Sequence, residues 1–271
     1  MNRWKAAAFD LDDTLLRNDL SISSRTLEVF RRLHSSGFTF IAASGRTRMS
    51  MQPFTDCLGC VSLCIASNGA LIYNPVSGEV LHRELFSVDL CHEIARFGKA
   101  HACYAQTYSD DRFYFNEYSE YSERYAAASM LPGECVGDLT EFIREPRSKI
   151  LMIADERKIA VMLAEARELF KGRASVTCSK ACFLEFNPLQ ATKGIALQKC
   201  ADLLGITTDE IIAFGDSLND LSMLQIAGRS VAMENGRPEI RSLCDTVCLS
   251  NQEDGVARYL ESNVLYEEAS S

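Results

Sequence analysis

The 271-residue sequence lacks any run of about 18 apolar residues, which a membrane-spanning helix needs. Its first residues lead into a short apolar run that meets Asp10, so a signal-peptide core is missing as well. Repeats and low-complexity tracts are also absent. Because 47% of the residues are apolar and 24% are charged, disorder, a collagen-like chain and a coiled-coil rod are excluded. We therefore expect a globular, cytoplasmic protein with no membrane partner.

Positive charge is also scarce, since 28 Lys and Arg residues face 37 Asp and Glu residues and the formal net charge is −9. Binding to a nucleic-acid backbone relies on Lys and Arg, so we expect no nucleic-acid partner. Eleven cysteines would imply disulfides in a secreted protein, but without a signal-peptide core or membrane span we expect reduced thiols in a cytoplasmic protein. The spacing of Cys57, Cys60 and Cys64 allows a zinc site, but a second pair at suitable spacing is missing. Free thiols are the favoured interpretation.

Strand-like and helix-like segments alternate at both ends of the chain. Apolar or β-branched runs over residues 5–9, 38–43 and 62–66 are typical of buried strands, and a helical pattern separates the first two. The alternation resumes at Thr192 and continues to residue 262. Strand, helix and strand in this order predict an α/β fold with a parallel sheet.

The middle of the chain, from about residue 83 to 188, has a different pattern. It holds most of the tyrosines, and two hairpins are predicted, over residues 103–116 and 174–186. The predicted order is helix, two strands, helix, strand, helix, two strands. This pattern indicates a second, α+β unit, an antiparallel sheet with helices on one face.

Acidic residues follow the first predicted strand. Asp10 and Asp12 are two positions apart, so on an extended chain their carboxylates point to the same side. They stand at the carboxyl edge of the sheet, where open α/β sheets bind ligands. Clustered carboxylates repel one another unless a cation joins them, and their oxygens suit Mg²⁺. The alternative is an acidic, capped turn.

A second acidic stretch follows the strand predicted over residues 210–214. Asp216 comes directly after Gly215, and Asn219 and Asp220 are predicted in the first turn of the next helix. In a parallel sheet Asp216 reaches the same edge as Asp10. Capping of the helix by Asp216 or Ser217 is the alternative.

Two further motifs favour an anion beside these acids. Ser44, Gly45 and Arg46 combine a hydroxyl, a flexible residue and a helix start, as anion sites do, although a plain turn has the same residues. Lys193 begins a predicted helix, where its charge is unfavourable unless an anion or carboxylates lie near; a solvated lysine is the alternative. Carboxylates, a divalent cation, a hydroxyl and an ammonium together favour phosphoryl transfer through an aspartyl-phosphate.

The order of these motifs resembles that of phosphatases of the haloacid dehalogenase (HAD) superfamily, in the Cof-type subgroup. The four main matching stretches are Asp10-Leu11-Asp12-Asp13-Thr14, Ser44-Gly45-Arg46, Lys193-Gly194 and Gly215-Asp216-Ser217-Leu218-Asn219-Asp220. Further similar stretches are Ser67-Asn68-Gly69-Ala70, Ser230-Val231-Ala232-Met233-Glu234-Asn235 and Asn251-Gln252-Glu253-Asp254-Gly255-Val256. The departures are Ser44, where Thr is frequent, and Gly236, where Ala is usual.

The resemblance implies a role for each matching residue. It makes Asp10 the nucleophile and a metal ligand, and Asp12 the general acid and base whose backbone carbonyl also binds the metal. Asp216 would be the third protein ligand of Mg²⁺, and Asp220 would orient the metal site. The substrate-binding residues would be Ser44, Gly45, Arg46, Lys193 and Asn219.

The resemblance also implies the domain organisation. Residues 1–82 and 189–271 would form a doubly wound, Rossmannoid HAD-like core, and residues 83–188 an inserted α+β cap that sets substrate choice. Tyr108, Arg112, Tyr114 and Glu185 are polar or aromatic cap positions. Their favoured interpretation is surface or cap core.

The predicted function is that of a Mg²⁺-dependent phosphatase, monomeric or homodimeric, acting on a small phosphorylated metabolite. Sugar phosphates are expected first, followed by pyridoxal phosphate or FMN-like cofactors. Two alternatives stay open. One is a phosphosugar mutase, which shares the aspartyl-phosphate step. The other is a non-catalytic sensor of phosphorylated ligands, which would not need the pair Asp10 and Asp12.

Overall fold

The structure, a computed structural model, describes residues 3–109, 112–129, 131–178 and 180–265. The strands in these residues are β1 (Ala6–Phe9), β2 (Thr39–Ala43), β3 (Val61–Ala66), β4 (Leu71–Tyr73), β5 (Val80–Arg83), β6 (Tyr104–Tyr108), β7 (Phe113–Phe115), β8 (Gly133–Cys135), β9 (Ile150–Ile153), β10 (Ser175–Thr177), β11 (Phe183–Asn187), β12 (Ile211–Gly215), β13 (Arg229–Met233) and β14 (Thr246–Cys248). The α-helices are α1 (Ser24–Ser35), α2 (Arg48–Leu58), α3 (Val88–Ala100), α4 (Glu120–Ser129), α5 (Leu139–Phe142), α6 (Glu156–Leu169), α7 (Lys193–Leu204), α8 (Leu221–Ile226), α9 (Pro238–Leu243) and α10 (Gly255–Leu260). Short turns of other helical types lie at Leu11–Leu15, Ser67–Gly69, Thr208–Glu210, Asn251–Glu253 and Glu261–Leu265.

The described residues form two compact units. The first contains the chain up to Gly45, Met51–His82 and the chain from Thr192 onward. The second contains Arg46–Ser50 and Arg83–Ala191. The division differs from the predicted ranges at residues 46–50 and 189–191, which belong here to the second unit.

The first unit is built on an eight-stranded sheet with the order β14-β13-β12-β1-β2-β3-β4-β5. The six strands from β14 to β3 are parallel, and β4 pairs antiparallel with β3. The order reverses at β1, which lies between β12 and β2. Reversal points of this kind are where open α/β sheets bind ligands, at the carboxyl ends of the strands.

Apolar layers cover both faces of this sheet. On one face, side chains such as Phe9 and Phe214 pack with α1, α2 and α10 in one buried cluster. On the other face, small residues such as Ala8 and Ala213 pack with α7, α8 and α9. Because both faces are covered, the strands are continuously apolar instead of alternating. The predicted α/β class, with a doubly wound core and an inserted unit, is confirmed.

The second unit is built on a six-stranded sheet with the order β10-β11-β9-β6-β7-β8. The two predicted hairpins are present, since β6 pairs antiparallel with β7 and β10 with β11; the predicted turn residues Asp110 and Asp111 lie outside the described residues. Two features differ from the prediction. β8 pairs in parallel with β7, because α4 connects them as a crossover. α4 also packs on the face opposite to α3 and α6.

Two expectations from composition can be compared with the structure. In the described part of the chain, no helix is both long and apolar enough to span a membrane. All eleven cysteines are free thiols.

Candidate active site

Asp10 stands directly after β1, in the centre of the parallel sheet. Its backbone N–H continues the ladder by donating to the carbonyl of Phe214, 3.1 Å away. Its side chain is buried and caps the turn Leu11–Leu15, because Oδ1 accepts a hydrogen bond of 2.8 Å from the N–H of Leu11. The carboxylate is therefore held in one orientation at the sheet edge.

The neighbouring strand β12 brings two more carboxylates to this edge. Asp216 follows the last residue of β12, and Oδ1 of Asp216 accepts a hydrogen bond of 3.0 Å from the hydroxyl of Thr14. Asp220 is fully buried, and its Oδ2 accepts from the N–H groups of Asp216 and Ser217 at 3.1 and 3.0 Å. Asn219 and Asp220 are predicted in the first turn of the helix, but α8 begins only at Leu221, so both residues lie in the turn before it.

Gly215 makes the close approach of Asp220 possible. A Cβ atom at position 215 would lie 2.5 Å from the Cβ of Asp220 and 2.8 Å from its Oδ2. Any other residue at position 215 would displace the Asp220 carboxylate, which explains sterically why a glycine precedes Asp216.

Lys193 supplies a cation to this cluster from the first residue of α7. Its side chain has no exposed surface, and Nζ lies 2.9 Å from Oδ1 of Asp10 and 2.6 Å from Oδ1 of Asp220. Burial alone would lower the pKa of this ammonium, but Asp10 and Asp220 raise it above its usual range. The solvated-lysine alternative is therefore wrong, and Lys193 is a charged member of the cluster.

The cluster contains more negative than positive charge. Asp10, Asp216 and Asp220 have one carboxylate oxygen each within 4.8 Å of one another, and they face one ammonium. Burial raises the pKa of Asp10 well above its usual range, Lys193 opposes this, and the other two carboxylates add to it. Burial and then Asp220 raise the pKa of Asp216 to about 7.

These residues fit a divalent cation. Three carboxyl groups beside one ammonium make the cluster acidic, and all the acidic donors are hard oxygens of the kind Mg²⁺ prefers. Oδ1 and Oδ2 of Asp220 are already bonded to Lys193 and to two backbone N–H groups. Asp10 and Asp216 are therefore the side chains better placed to bind the ion, with Asp220 behind them.

Asp12 lies in the turn that follows Asp10. The turn is a single one of π type, in which Asp12 keeps extended dihedral angles (φ −68°, ψ 133°) and Asp13 is left-handed (φ 57°, ψ 5°). The prediction that Asp10 and Asp12 point to the same side required an extended chain through Asp12, but the chain turns there instead. Asp12 is half-buried.

The Ser44 motif stands at the end of β2, beside β1. Ser44 is buried, and its carbonyl accepts a 3.0 Å hydrogen bond from the N–H of Asn68. A Cβ atom on Gly45 would lie 3.0 Å from Oδ1 of Asn68. The same Oδ1 accepts a hydrogen bond of 3.1 Å from Nδ2 of Asn219. Asn68 thus connects the Ser44 motif to the loop after β12.

Asn68 belongs to the stretch Ser67-Asn68-Gly69-Ala70, which is similar to the family, but no role is predicted for it from the sequence. Its position after β3, a strand of the same parallel sheet, was a usable signal for a residue at this edge. Arg46 is half-buried and is assigned to the second compact unit.

The second unit contains a buried ion pair that sequence reasoning missed. Nζ of Lys149 donates to Oε1 of Glu185 at 2.5 Å, and both side chains are more than nine-tenths buried. Tyr108 lies nearby, with its hydroxyl donating to the hydroxyl of Tyr125 at 2.8 Å. Tyr108 and Glu185 are thus inside the unit and not at its surface. Lys149 and Glu185 are 36 residues apart in the chain, so no short-range sequence pattern could identify them as partners.

The other two positions predicted to lie in the cap, Arg112 and Tyr114, contact residues of the second unit. Arg112 pairs with Glu134 at 3.3 Å where both are exposed, and Tyr114 packs against the ring of Phe142. Among the described residues, the cluster at Asp10 is the only group of three or more acidic, histidine or cysteine side chains close enough together to hold a metal ion. No cysteine of the described residues takes part in such a group.

Comparison with known proteins agrees with this geometry. A family model described as haloacid dehalogenase-like hydrolase matches residues 7–260. A 5-amino-6-(5-phospho-D-ribitylamino)uracil phosphatase of Bacillus subtilis is 30% identical, over 95% of this chain and 97% of its own. An HMP-PP phosphatase of Cronobacter sakazakii is 31% identical, over 87% of this chain and 86% of its own.

A solved structure of similar fold comes from Bacteroides thetaiotaomicron. It is a haloacid dehalogenase-like hydrolase with 28% identity and a TM-score of 0.88, covering 96% of this chain and 99% of its own. The predicted enzyme class, a HAD-type phosphatase, is confirmed at the level of family and class. The chain belongs to the haloacid dehalogenase-like hydrolases, in the Cof-type subgroup whose motif order it shares.

Proposed function

We propose that this protein is a Mg²⁺-dependent phosphatase that hydrolyses small phosphomonoesters through an aspartyl-phosphate. The observation that carries the proposal is the convergence of Asp10, Asp216, Asp220 and Lys193 at one sheet edge. One buried ammonium beside three carboxylates, two of them with raised pKa values, is an arrangement suited to a cation and a phosphate, not to an empty core.

Asp10 is the proposed nucleophile. One of its carboxylate oxygens forms a bond to phosphorus while the bond from phosphorus to the ester oxygen breaks. Asp12 gives its proton to the departing alkoxide, which leaves as an alcohol. A water molecule then attacks phosphorus, Asp12 takes the proton of that water, and inorganic phosphate leaves with Asp10 restored.

The remaining residues bind and orient the phosphoryl group. Lys193 and the hydroxyl of Ser44 are proposed to hold its oxygens, together with Gly45, Arg46 and Asn219. Asp10, Asp216 and the carbonyl of Asp12 would hold Mg²⁺, with Asp220 orienting the site. When bound, the ion would neutralise charge on the phosphate and between the carboxylates.

Substrate class and setting are also proposals. The two curated relatives described above carry names that specify phosphorylated small metabolites. We expect sugar phosphates first and then pyridoxal phosphate or FMN-like compounds, with residues 83–188 as the cap that selects among them and residues 1–82 and 189–271 as the catalytic core. The acidic charge and the free thiols suit a cytoplasmic enzyme without nucleic-acid or membrane partners, as a monomer or homodimer.

The test is a panel of phosphomonoesters ranked by kcat/KM in Mg²⁺, with inorganic phosphate as the product measured. We expect release from at least one alkyl phosphate without any added bisphosphate, which a mutase would need. EDTA should stop the release, and excess Mg²⁺ should restore it. No release from any ester would overturn the proposal, and full activity in EDTA would overturn its metal dependence.

A further inference from the structure

Two asparagines outside the carboxylate cluster hold the turn that carries Asp12. Nδ2 of Asn235 donates a hydrogen bond of 2.7 Å to the carbonyl of Asp13. Nδ2 of Asn251 donates a hydrogen bond of 2.9 Å to the carbonyl of Leu16. The two asparagines follow β13 and β14, so they reach the turn from the same carboxyl edge of the sheet.

The two side chains are also joined to each other. The backbone N–H of Asn251 donates to Oδ1 of Asn235 at 3.0 Å, so both ends of the Asn235 amide are used although the residue is exposed. Asn251 is only 3% exposed, and its Nδ2 also reaches Oδ1 of Asn18 at 3.2 Å. We call Asn235 and Asn251 the asparagine clamp.

The turn needs support at the point where the clamp acts. Its own backbone bonds run from Leu15 to Asp10 at 3.3 Å and from Leu16 to Leu11 at 2.8 Å, and they close the turn around Asp12 and Asp13. Asp13 is in the left-handed region, which among residues with a Cβ atom mainly Asn and Asp adopt. The bond from Asn235 falls on the carbonyl of Asp13, one residue from Asp12.

The far side of the turn is tied down as well. Nη2 of Arg17 lies 2.8 Å from Oδ1 of Asp254, in the segment that begins with Asn251. Asp13 and Leu16 are thus fixed by side chains from two distant loops, with Asp12 immediately before the first held carbonyl. A small rotation of this peptide would move the Asp12 carboxylate, and misplacement by about 1 Å can cost about a hundredfold in rate.

We propose that the asparagine clamp positions the carboxylate of Asp12 for proton transfer to the leaving group. Asn235 and Asn251 are positioning residues, since they act through the backbone of the turn. The inference rests on the proposed function, because it presupposes that Asp12 is the general acid.

The leaving group of the substrate provides a selective test. The alkoxide of an alkyl phosphate needs a proton to depart, whereas p-nitrophenolate from p-nitrophenyl phosphate is a stable anion and does not. The ratio kcat/KM reports the steps up to departure of the leaving group. In Asn235→Ala, we expect kcat/KM for the best alkyl phosphate of the panel to fall about 10- to 100-fold. The fall for p-nitrophenyl phosphate should be at least about tenfold smaller.

Three further variants make the result decisive. Asp12→Ala is the reference and should show the same selectivity more strongly, and Asn251→Ala should reproduce it from the other half of the clamp. Asn263→Ala removes an exposed amide that donates to the carbonyl of Tyr259 at 2.8 Å and should leave both substrates unchanged. Circular dichroism of Asn235→Ala should show a folded protein, with only the small loss of Tm expected for two hydrogen bonds of an exposed residue.

Each outcome has one meaning. If Asn235→Ala lowers kcat/KM equally for both substrates, or for neither, the positioning role of the clamp is wrong. If Asp12→Ala is still selective in that case, the proposed function stands. A non-selective Asp12→Ala overturns the role of Asp12 and the clamp with it. A wild-type protein that releases phosphate from no alkyl ester overturns the proposed function itself.

Discussion

At the scale of single residues, the candidate site depends on carboxylates that are expensive to bury together. Asp10 and Asp220 share the one ammonium of Lys193, and Asp216 is stabilised by the hydroxyl of Thr14. Buried like charges reduce the stability of the metal-free protein, and arrangements of this kind are typical of functional sites. Two substitutions separate these effects.

Asp10→Asn should abolish turnover while leaving the fold intact. The amide is nearly isosteric with the carboxylate, but it is a poor nucleophile, so we expect kcat to fall by about 1,000-fold or more. Circular dichroism and thermal unfolding should show a folded protein. The control is Asp202→Asn on α7, an exposed carboxylate bonded to Gln198, which should keep full activity. Residual turnover above about one part in a thousand would contradict the role of Asp10.

The raised pKa of Asp216 should make the stability of the protein in EDTA depend on pH. Its pKa is about 7 in the folded protein against a usual 3.8, so between these values the folded state keeps a proton that the unfolded chain has lost. The contribution of this group to the free energy of unfolding must then decrease as pH rises through this window. Urea unfolding should show the difference between wild type and Asp216→Asn decreasing from pH 3.8 to about 7 and levelling above it. A difference that stays constant or rises would refute the assignment.

At the scale of elements, a buried ion pair inside the second unit joins Lys149, the residue directly before β9, to Glu185 of β11. Lys149→Met leaves the Glu185 carboxylate buried without its cation, and breaking a pair in this way costs about 3–5 kcal/mol. We expect Lys149→Met with Glu185→Leu to lose less than Lys149→Met alone, because the pair is then replaced by apolar packing. Denaturant unfolding measures both.

A matched control for this pair lies on the surface of the same unit. Lys99 and Asp138 are 2.5 Å apart, but Lys99 is 69% exposed, so the pair is worth little and water can solvate Asp138 when the ammonium is removed. Lys99→Met should therefore leave the unfolding midpoint unchanged. If Lys149→Met also left the unfolding midpoint unchanged, the pair would not be the structural support of the second unit's sheet that its burial indicates.

At the scale of the whole molecule, Mg²⁺ should stabilise the folded protein. An ion that binds only the folded state adds free energy of unfolding, about 2.7 kcal/mol at a hundred times its Kd. We expect millimolar Mg²⁺ to raise Tm in the wild type and to raise it much less in Asp216→Asn. Asp202→Asn should respond as the wild type does. An equal rise in Asp216→Asn would show that the ion binds elsewhere.

The net charge of −9 belongs to this scale too, and it does not describe the site. Lys193, Arg46 and Asn219 are the groups proposed to meet a phosphate, in a chain whose acidic excess argues against nucleic acid. A local site can differ in sign from the molecule around it when a cation and buried donors are placed there.

Much of the fold and part of the site were predictable from sequence because they depend on short-range patterns. Continuous apolar runs that end in Asp10 or Asp216 indicate buried parallel strands with acids at their carboxyl ends. Strand and helix alternation indicates the sheet. The parallel pairing of β8 and the second-face position of α4 were not predictable, because residue types at 120–135 do not specify a pairing partner.

Sequence patterns did not predict which side chains from distant segments contact one another. That Lys193 lies between Asp10 and Asp220, that Asn235 holds the carbonyl of Asp13, and that Lys149 finds Glu185 follow from the packing of segments far apart in the chain. The pKa of a buried group and the orientation of a turn depend on which side chains from those segments surround it. The sequence by itself determined which chemical groups the protein has and at which strand ends they lie. The tertiary structure decided their contacts and protonation, because burial and neighbouring charges set the pKa of each group.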